Sequence, residues 1–267
     1  MIYPFRTALV TGASAGIGRS IAELLGAAGI PTVIVARRGD RLDELAARFP
    51  SLHPLVADLL STEGQQTVIS RLSDADHPID LLVNNAGFGV SGNVADVDPD
   101  RIHDMIGLNI SALTMLTRAA LPQMLGRRRG WIMQVSSVAG FQPGPGAAVY
   151  SATKAYVTSF TEALSVELRD TGVLVSALCP GFTRTEFHEV SGSADDASRI
   201  PDIAWLSSAD VAAAGLNAVA VGKVLEVPGA GYKAITAVST VLPHGVMRGV
   251  LGGLDRLSRD RLSRRSR

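Results

Sequence analysis

Tyr150 and Lys154 stand four positions apart in the stretch YSATKAY, residues 150–156. On a helix, positions i and i+4 lie one above the other, so this phenol and this ammonium would share a face. A free tyrosine holds its proton up to about pH 10, too tightly for easy exchange at neutral pH. Stabilising the phenolate by roughly 4 kcal/mol would lower that value by about 3 and make Tyr150 a usable proton donor and acceptor. Tyr156 is a second phenol in the stretch, but it is turned about 200° from Lys154 at about 3.6 residues per turn. It reads as packing. A Y-x-x-x-K pair alone is common on helices, where both side chains simply reach from the surface into water. Chemistry needs a second signal.

That signal is the stretch TGASAGIG, residues 11–18, which follows an apolar run and opens a helical pattern. Gly12, Gly16 and Gly18 would keep the turn tight and let the backbone approach a pyrophosphate, with Ser14 and Ile17 in the same turn. The helix N-terminus adds free N–H groups and a partial positive charge. A glycine trio is weak evidence by itself. Between a strand and a helix it is a strong dinucleotide signal.

The end of the next apolar run, VIVARR, bears on which dinucleotide. A cofactor lacking a 2′-phosphate is usually held here by an acid that accepts from the ribose. Ala36 stands in that place, and Arg37 and Arg38 follow. Guanidinium groups grip a phosphate through charge-assisted bonds, whereas a carboxylate would repel it. NADP(H) is the expected cofactor.

Elements of two kinds must position these residues. Apolar runs at 7–10, 32–36, 52–57, 79–83, 131–136, 173–178 and 224–227 are mostly continuous Val, Ile and Leu, as in strands buried on both faces. Amphipathic patterns at 18–29, 40–49 and 150–172 fall between them, the first and third ending at glycine. This alternation predicts an α/β fold: a Rossmann-like, doubly wound parallel sheet of about seven strands with helices on both faces. The 267 residues show no linker, repeat or low-complexity block, so a single domain is expected over 1–267, with a basic C-terminal extension over about 240–267.

Composition narrows the classes. Hydrophobic residues make up 46% and charged residues 19%, enough for a core and unlike a disordered chain. The formal net charge is zero, which argues against a nucleic-acid partner. Cys179 is the only cysteine and the five histidines are scattered, so no metal site is expected. The N-terminus lacks a charged segment followed by an apolar one, and a cytoplasmic protein is expected. From Arg248 to the end there are seven arginines and two aspartates, behind an apolar stretch interrupted by Pro243, His244 and Arg248. No run reaches the roughly 20 apolar residues of a spanning helix. Peripheral membrane contact through this tail and a frayed solvated terminus both fit.

Together, TGASAGIG, NNAG (84–87), YSATK and CPGFTRTEF (179–187) resemble the short-chain dehydrogenase/reductases of the single-domain, Y-x-x-x-K type, over about residues 6–228. The resemblance implies an oxidoreductase that interconverts ketone and secondary alcohol. It implies a catalytic set of Asn109, Ser137, Tyr150 and Lys154: Tyr150 gives the proton, Lys154 supplies charge and holds the nicotinamide ribose, Ser137 steadies the alkoxide, and Asn109 anchors a relay water. Ser137 is chosen over Ser136 because the family's serine lies thirteen residues before its tyrosine. Asp58 and Leu59 would border the adenine. Asn84, Asn85, Ala86 and Gly87 would floor the cofactor site. Pro180, Gly181, Thr183 and Thr185 would hold the carboxamide, although position 183 is more often aliphatic in the family.

Phe88, Val90, Val138, Phe141, Phe182, Phe187 and Trp205 flank these motifs and suggest an apolar substrate pocket. The polar, poorly periodic segment from Thr185 to about Ile200 reads as a lid over it. The region from Trp205 to Pro243 is similar to lipid-directed members such as long-chain 3-oxoacyl and mycolate-type reductases, which implies a hydrophobic or 3-oxoacyl-type small-molecule substrate. A dehydrogenase of a small polar alcohol or sugar, and a non-catalytic NADP(H)-binding sensor, are the alternatives. Helices near 99–126 and 150–170 resemble those through which family members pair, implying a homodimer or homotetramer.

Overall fold

Continuous Val, Ile and Leu runs become strands covered on both sides. β1 (Ala8–Thr11), β2 (Thr32–Ala36), β4 (Leu81–Asn84) and β5 (Gly130–Val135) are buried at every position in the computed structural model. With β3 (Leu52–Val56), β6 (Val173–Leu178) and β7 (Leu225–Glu226) they form one parallel sheet in the order β3-β2-β1-β4-β5-β6-β7. Residues 3–193, 197, 198, 200–241 and 249 are described. The basic extension over about 240–267 thus lies almost wholly outside the described residues, as do positions 194–196 and 199 of the expected lid.

Strand alternation divides the core in two. Ala8 and Val10 face one side of the sheet, against Ile21 and Leu25 of α1 (Gly16–Ala27), Leu42 and Leu45 of α2 (Gly39–Arg48), and Val211 and Leu216 near the C-terminal end. Leu9 faces the other, against Val68 and Leu72 of α3 (Thr62–Leu72), and against Leu116 and Leu164 on later helices. β3 is the exception to continuous burial. It is an edge strand whose His53, Pro54 and Val56 are not buried, and an edge is where a sheet tolerates proline.

The helical region read at 99–126 is three pieces: α4 (Pro99–Ile106), a π-helical turn at Gly107–Ala112, and α5 (Leu113–Gly126). The widened turn holds Asn109, and such turns recur at functional sites. α6 (Ala148–Glu167) ends short of Gly172, because Leu168–Thr171 form turns with Asp170 at φ 62°. α1 ends as expected, with Gly29 at φ 69° and Ile30 N–H on the Leu25 carbonyl. A short α7 (Phe187–Val190), a 3-10 turn at Asp202–Ala204, α8 (Ser208–Ala220) and α9 (Ala230–Val241) follow.

Candidate active site

Where the strand order steps from β1 to β4, the crossovers on the two sides diverge and leave a crevice at the carboxyl ends of the strands. A cleft of about 820 Å³ lies there. Gly12 and Gly16 sit at φ 66° and 55°, and a Cβ on Gly12 would come within 2.7 Å of Asn85 Nδ2. Only glycine fits such a cradle. α1 begins at uncapped Ala15 with no acid in its first turn, leaving its N–H groups for an anion. These residues fit the pyrophosphate of a dinucleotide.

At the far end, Ser14, Arg37, Arg38 and Asp58 line the cleft together. Arg38 donates from Nε and Nη2 to Ser14 Oγ at 3.2 and 3.0 Å. Its Nη1 reaches Glu186 Oε2 at 2.9 Å, and Arg41 Nη1 reaches Glu186 Oε1 at 2.6 Å. Asp58 Oδ1 accepts from Leu60 N–H at 3.0 Å, which fixes the turn, while its Oδ2 lies 4.0 Å from Arg37.

At the near end, α6 presents Tyr150 and Lys154 on one face. Lys154 is buried, donates to the Val135 carbonyl at 2.9 Å, and lies 5.7 Å from the Tyr150 ring centroid. Burial pushes the ammonium down to about 8. Burial also pushes the Tyr150 phenol up to about 12, with the Ser137 hydroxyl pulling the other way. In the chain alone the phenol is therefore raised, opposite to the lowering expected from the helix pair. Desolvation of the phenolate outweighs the groups that would favour it.

Ser136 and Ser137 face different ways. Ser136 Oγ donates to the Lys154 carbonyl at 2.9 Å beneath α6, whereas Ser137 lies beside Tyr150. Tyr156 is remote from the cleft: its hydroxyl is 2.9 Å from Thr114 Oγ1 and its ring stacks on Phe160 at 5.8 Å. Asn109 is buried behind the site. Its Oδ1 accepts from Phe88 N–H at 3.1 Å, and its Nδ2 donates to Phe88 O at 2.9 Å and Thr153 Oγ1 at 3.1 Å. Thr153 in turn donates to the Tyr150 carbonyl at 2.8 Å.

A family model described as short chain dehydrogenase matches residues 6–196. The chain belongs to this family. This dehydrogenase is 39% identical over 195 residues to sulfoacetaldehyde reductase 2 of Chromohalobacter salexigens, covering 71% of this chain and 77% of that one. Among solved structures it resembles a short-chain dehydrogenase from Sphingobium yanoikuyae in complex with NADPH (TM-score 0.78, 33% identity, 87% and 92% of the two chains). It also resembles a bulky-bulky ketone specific alcohol dehydrogenase from Comamonas testosteroni (TM-score 0.75, 29% identity, 89% and 95%). The dehydrogenase is thus an oxidoreductase of alcohol/ketone type.

Most positions expected from the sequence reach the cleft: Ile17, Leu59, Asn85, Ala86, Gly87, Phe88, Val90, Val138, Pro180, Gly181, Phe182, Thr183, Thr185 and Phe187 all line it. Five do not. Asn84 points from the central strand toward α5, where its Nδ2 is 3.0 Å from both Thr117 Oγ1 and Gln134 Oε1. Alternation along β4 carries it away from the cleft and leaves Asn85 to brace the turn through Thr11 O at 2.8 Å. Gly18 serves close packing, since a Cβ there would meet Gly12 O at 2.4 Å without its facing the cleft. Phe141, in a 3-10 turn at Val138–Phe141, does not reach the lining. Trp205 stands outside it against His188 and Phe182, at 5.1 and 5.7 Å. Asn109 lies buried behind the lining.

Sequence reasoning missed Tyr232, Ile235 and Ser239 of α9, which close the cleft from a segment with no motif. Tyr232 accepts from Phe182 N–H at 3.1 Å and donates to Ala204 O at 2.7 Å, pinning the loop after β6. His188 and Arg101 were also missed as lining residues. No charge pattern marked them. Among the described residues no His/Cys/Asp/Glu group could hold a metal ion, and no helix is long and apolar enough to cross a membrane.

Proposed function

We propose that the protein is an NADP(H)-dependent ketoreductase that reduces a hydrophobic ketone or 3-oxoacyl-type chain to a secondary alcohol. One observation carries this reading: Tyr150, Ser137 and Lys154 stand where the glycine-cradled half of the cleft meets an apolar half lined by Phe88, Val138, Phe182 and Phe187. Arg38 and Ser14 support NADP(H), since their paired donors suit a 2′-phosphate.

When bound, the nicotinamide cofactor supplies the hydride for the carbonyl carbon. Tyr150 holds its proton firmly at neutral pH and hands it to the carbonyl oxygen as charge develops there. Ser137 donates a hydrogen bond to the same oxygen. Lys154, with a value of about 8, carries its charge at pH 7 and stabilises the phenolate that Tyr150 becomes. Asn109 holds Phe88 and, through Thr153, the start of α6, which sets the height of Tyr150. Its relay water is part of the same proposal.

A second reading, a small polar or anionic alcohol, is favoured by Arg101. This guanidinium lines the cleft 5.1 Å from the Phe88 ring centroid and donates to Val190 O at 3.3 Å. A screen of NADPH oxidation over 3-oxoacyl thioesters, bulky ketones, sugars and sulfonated or carboxylated aldehydes separates the two. Turnover confined to the polar compounds contradicts the hydrophobic assignment; no turnover with any of them favours a non-catalytic sensor. Exposed Ile106, Met115 and Val166 support pairing of copies through α4–α6, which sedimentation of the full chain tests.

A further inference from the structure

Glu186 is held by two arginines at once. Arg38 and Arg41 each donate to one of its oxygens, at 2.9 and 2.6 Å, over 148 and 145 residues of chain. Together they hold its carboxyl below the usual carboxylate range. Arg38 is also the residue whose remaining nitrogens lie on Ser14 Oγ. A carboxylate in a guanidinium fork is a chemical stand-in for a phosphate, because both are anions offering paired acceptor oxygens.

The neighbours of Glu186 run along the rest of the groove. Thr185 covers the glycine turn: a Cβ on Gly16 would lie 3.0 Å from Thr185 Cγ2. Phe187 packs on Tyr150 with ring centroids 5.4 Å apart. Three consecutive residues therefore touch the pyrophosphate cradle, the arginine pair and the proton donor. They form a strap along the cofactor groove.

We propose that Glu186 is a placeholder for the cofactor's 2′-phosphate, which takes Arg38 and Arg41 from it on binding and so releases the strap from α2. This rests on the NADP(H) reading above. A cofactor without that phosphate has nothing to exchange for the carboxylate and leaves the strap tied. Glu186 is thereby a specificity-determining residue: only a cofactor whose phosphate takes Arg38 and Arg41 must break the two ion pairs, so the carboxylate weakens NADPH binding and leaves NADH binding unaffected. Arg38, Arg41 and Glu186 are 43, 35 and 41% exposed, so the pairs are screened and the effect is modest and salt-sensitive.

The test uses the full chain and Glu186→Gln, which keeps the side chain's shape and removes its charge. NADPH and NADH dissociation constants are measured by fluorescence titration at low and high salt, and trypsin cleavage at Arg184 is followed with each cofactor. The expected result is roughly two- to tenfold tighter NADPH binding by the variant at low salt, shrinking at high salt, with NADH unchanged. In the wild type, NADPH but not NADH should alter cleavage at Arg184. NADPH binding that is unchanged or weaker in the variant, or identical cleavage with both cofactors, would overturn the proposal. A wild-type chain that binds NADH more tightly than NADPH would instead overturn the cofactor reading, and the placeholder with it.

Discussion

Lys154 Nζ lies 5.7 Å from the centre of the Tyr150 ring and is fixed there by the Val135 carbonyl. The cation is buried beneath the phenol at the wall of the cleft, and burial makes its charged form less favourable than in water while leaving it charged at pH 7. Burial lowers Lys154 from 10.5 to about 8, a displacement corresponding to about 3 kcal/mol of native-state penalty.

That penalty predicts a trade between stability and activity. Lys154→Met should abolish turnover yet stabilise the fold by about 2 kcal/mol at pH 7, after about 1 kcal/mol for the lost Val135 hydrogen bond. Between about pH 8 and 10 the unfolded lysine binds more protons than the native one, so wild-type stability should rise toward that of the variant. Denaturant melts of both proteins at several pH values check this. A gap that widens with pH would show that Lys154 is not a buried charge under strain.

Cofactor choice should follow Arg38. Arg38→Ala removes both contacts to Ser14 and one to Glu186, and should weaken NADPH binding about tenfold while moving NADH little. Parallel titrations of the two cofactors read this directly. Equal losses for both would mean that Arg38 shapes the glycine turn and does not hold a phosphate.

Asn84 predicts the opposite pattern, a structural role without a cofactor role. Its amide nitrogen has three buried acceptors, Leu113 O, Thr117 Oγ1 and Gln134 Oε1. Asn84→Ala should destabilise the protein by about 1–3 kcal/mol and leave NADPH affinity near the wild-type value. Urea melts and NADPH titration of the variant test the pair of expectations. Unchanged stability with lost binding would put Asn84 back at the cleft.

The strands were legible because a two-sided parallel sheet needs unbroken apolar runs, and TVIVA and VLVSAL cannot be read as anything amphipathic. Gly12, Gly16, Tyr150 and Lys154 were legible because their spacing is local. Asn84 and Asn85 were not separable from sequence, since NNAG fixes the pair but not which one the last residue of β4 turns inward. Tyr232 and Glu186 were invisible for a different reason. Their partners lie 50 and more than 140 residues away, and no local pattern encodes a contact that only the sheet order brings about.

The central claim is that Tyr150 passes the proton, and Tyr150→Phe tests it most directly. The ring keeps its contact with Phe187, so the fold and NADPH affinity should stay near wild type. NADPH oxidation by the best ketone from the substrate screen should fall by at least about 10²–10⁴-fold, the usual worth of a positioned acid. A phenylalanine variant that binds NADPH and still reduces the ketone at a comparable rate would contradict the account.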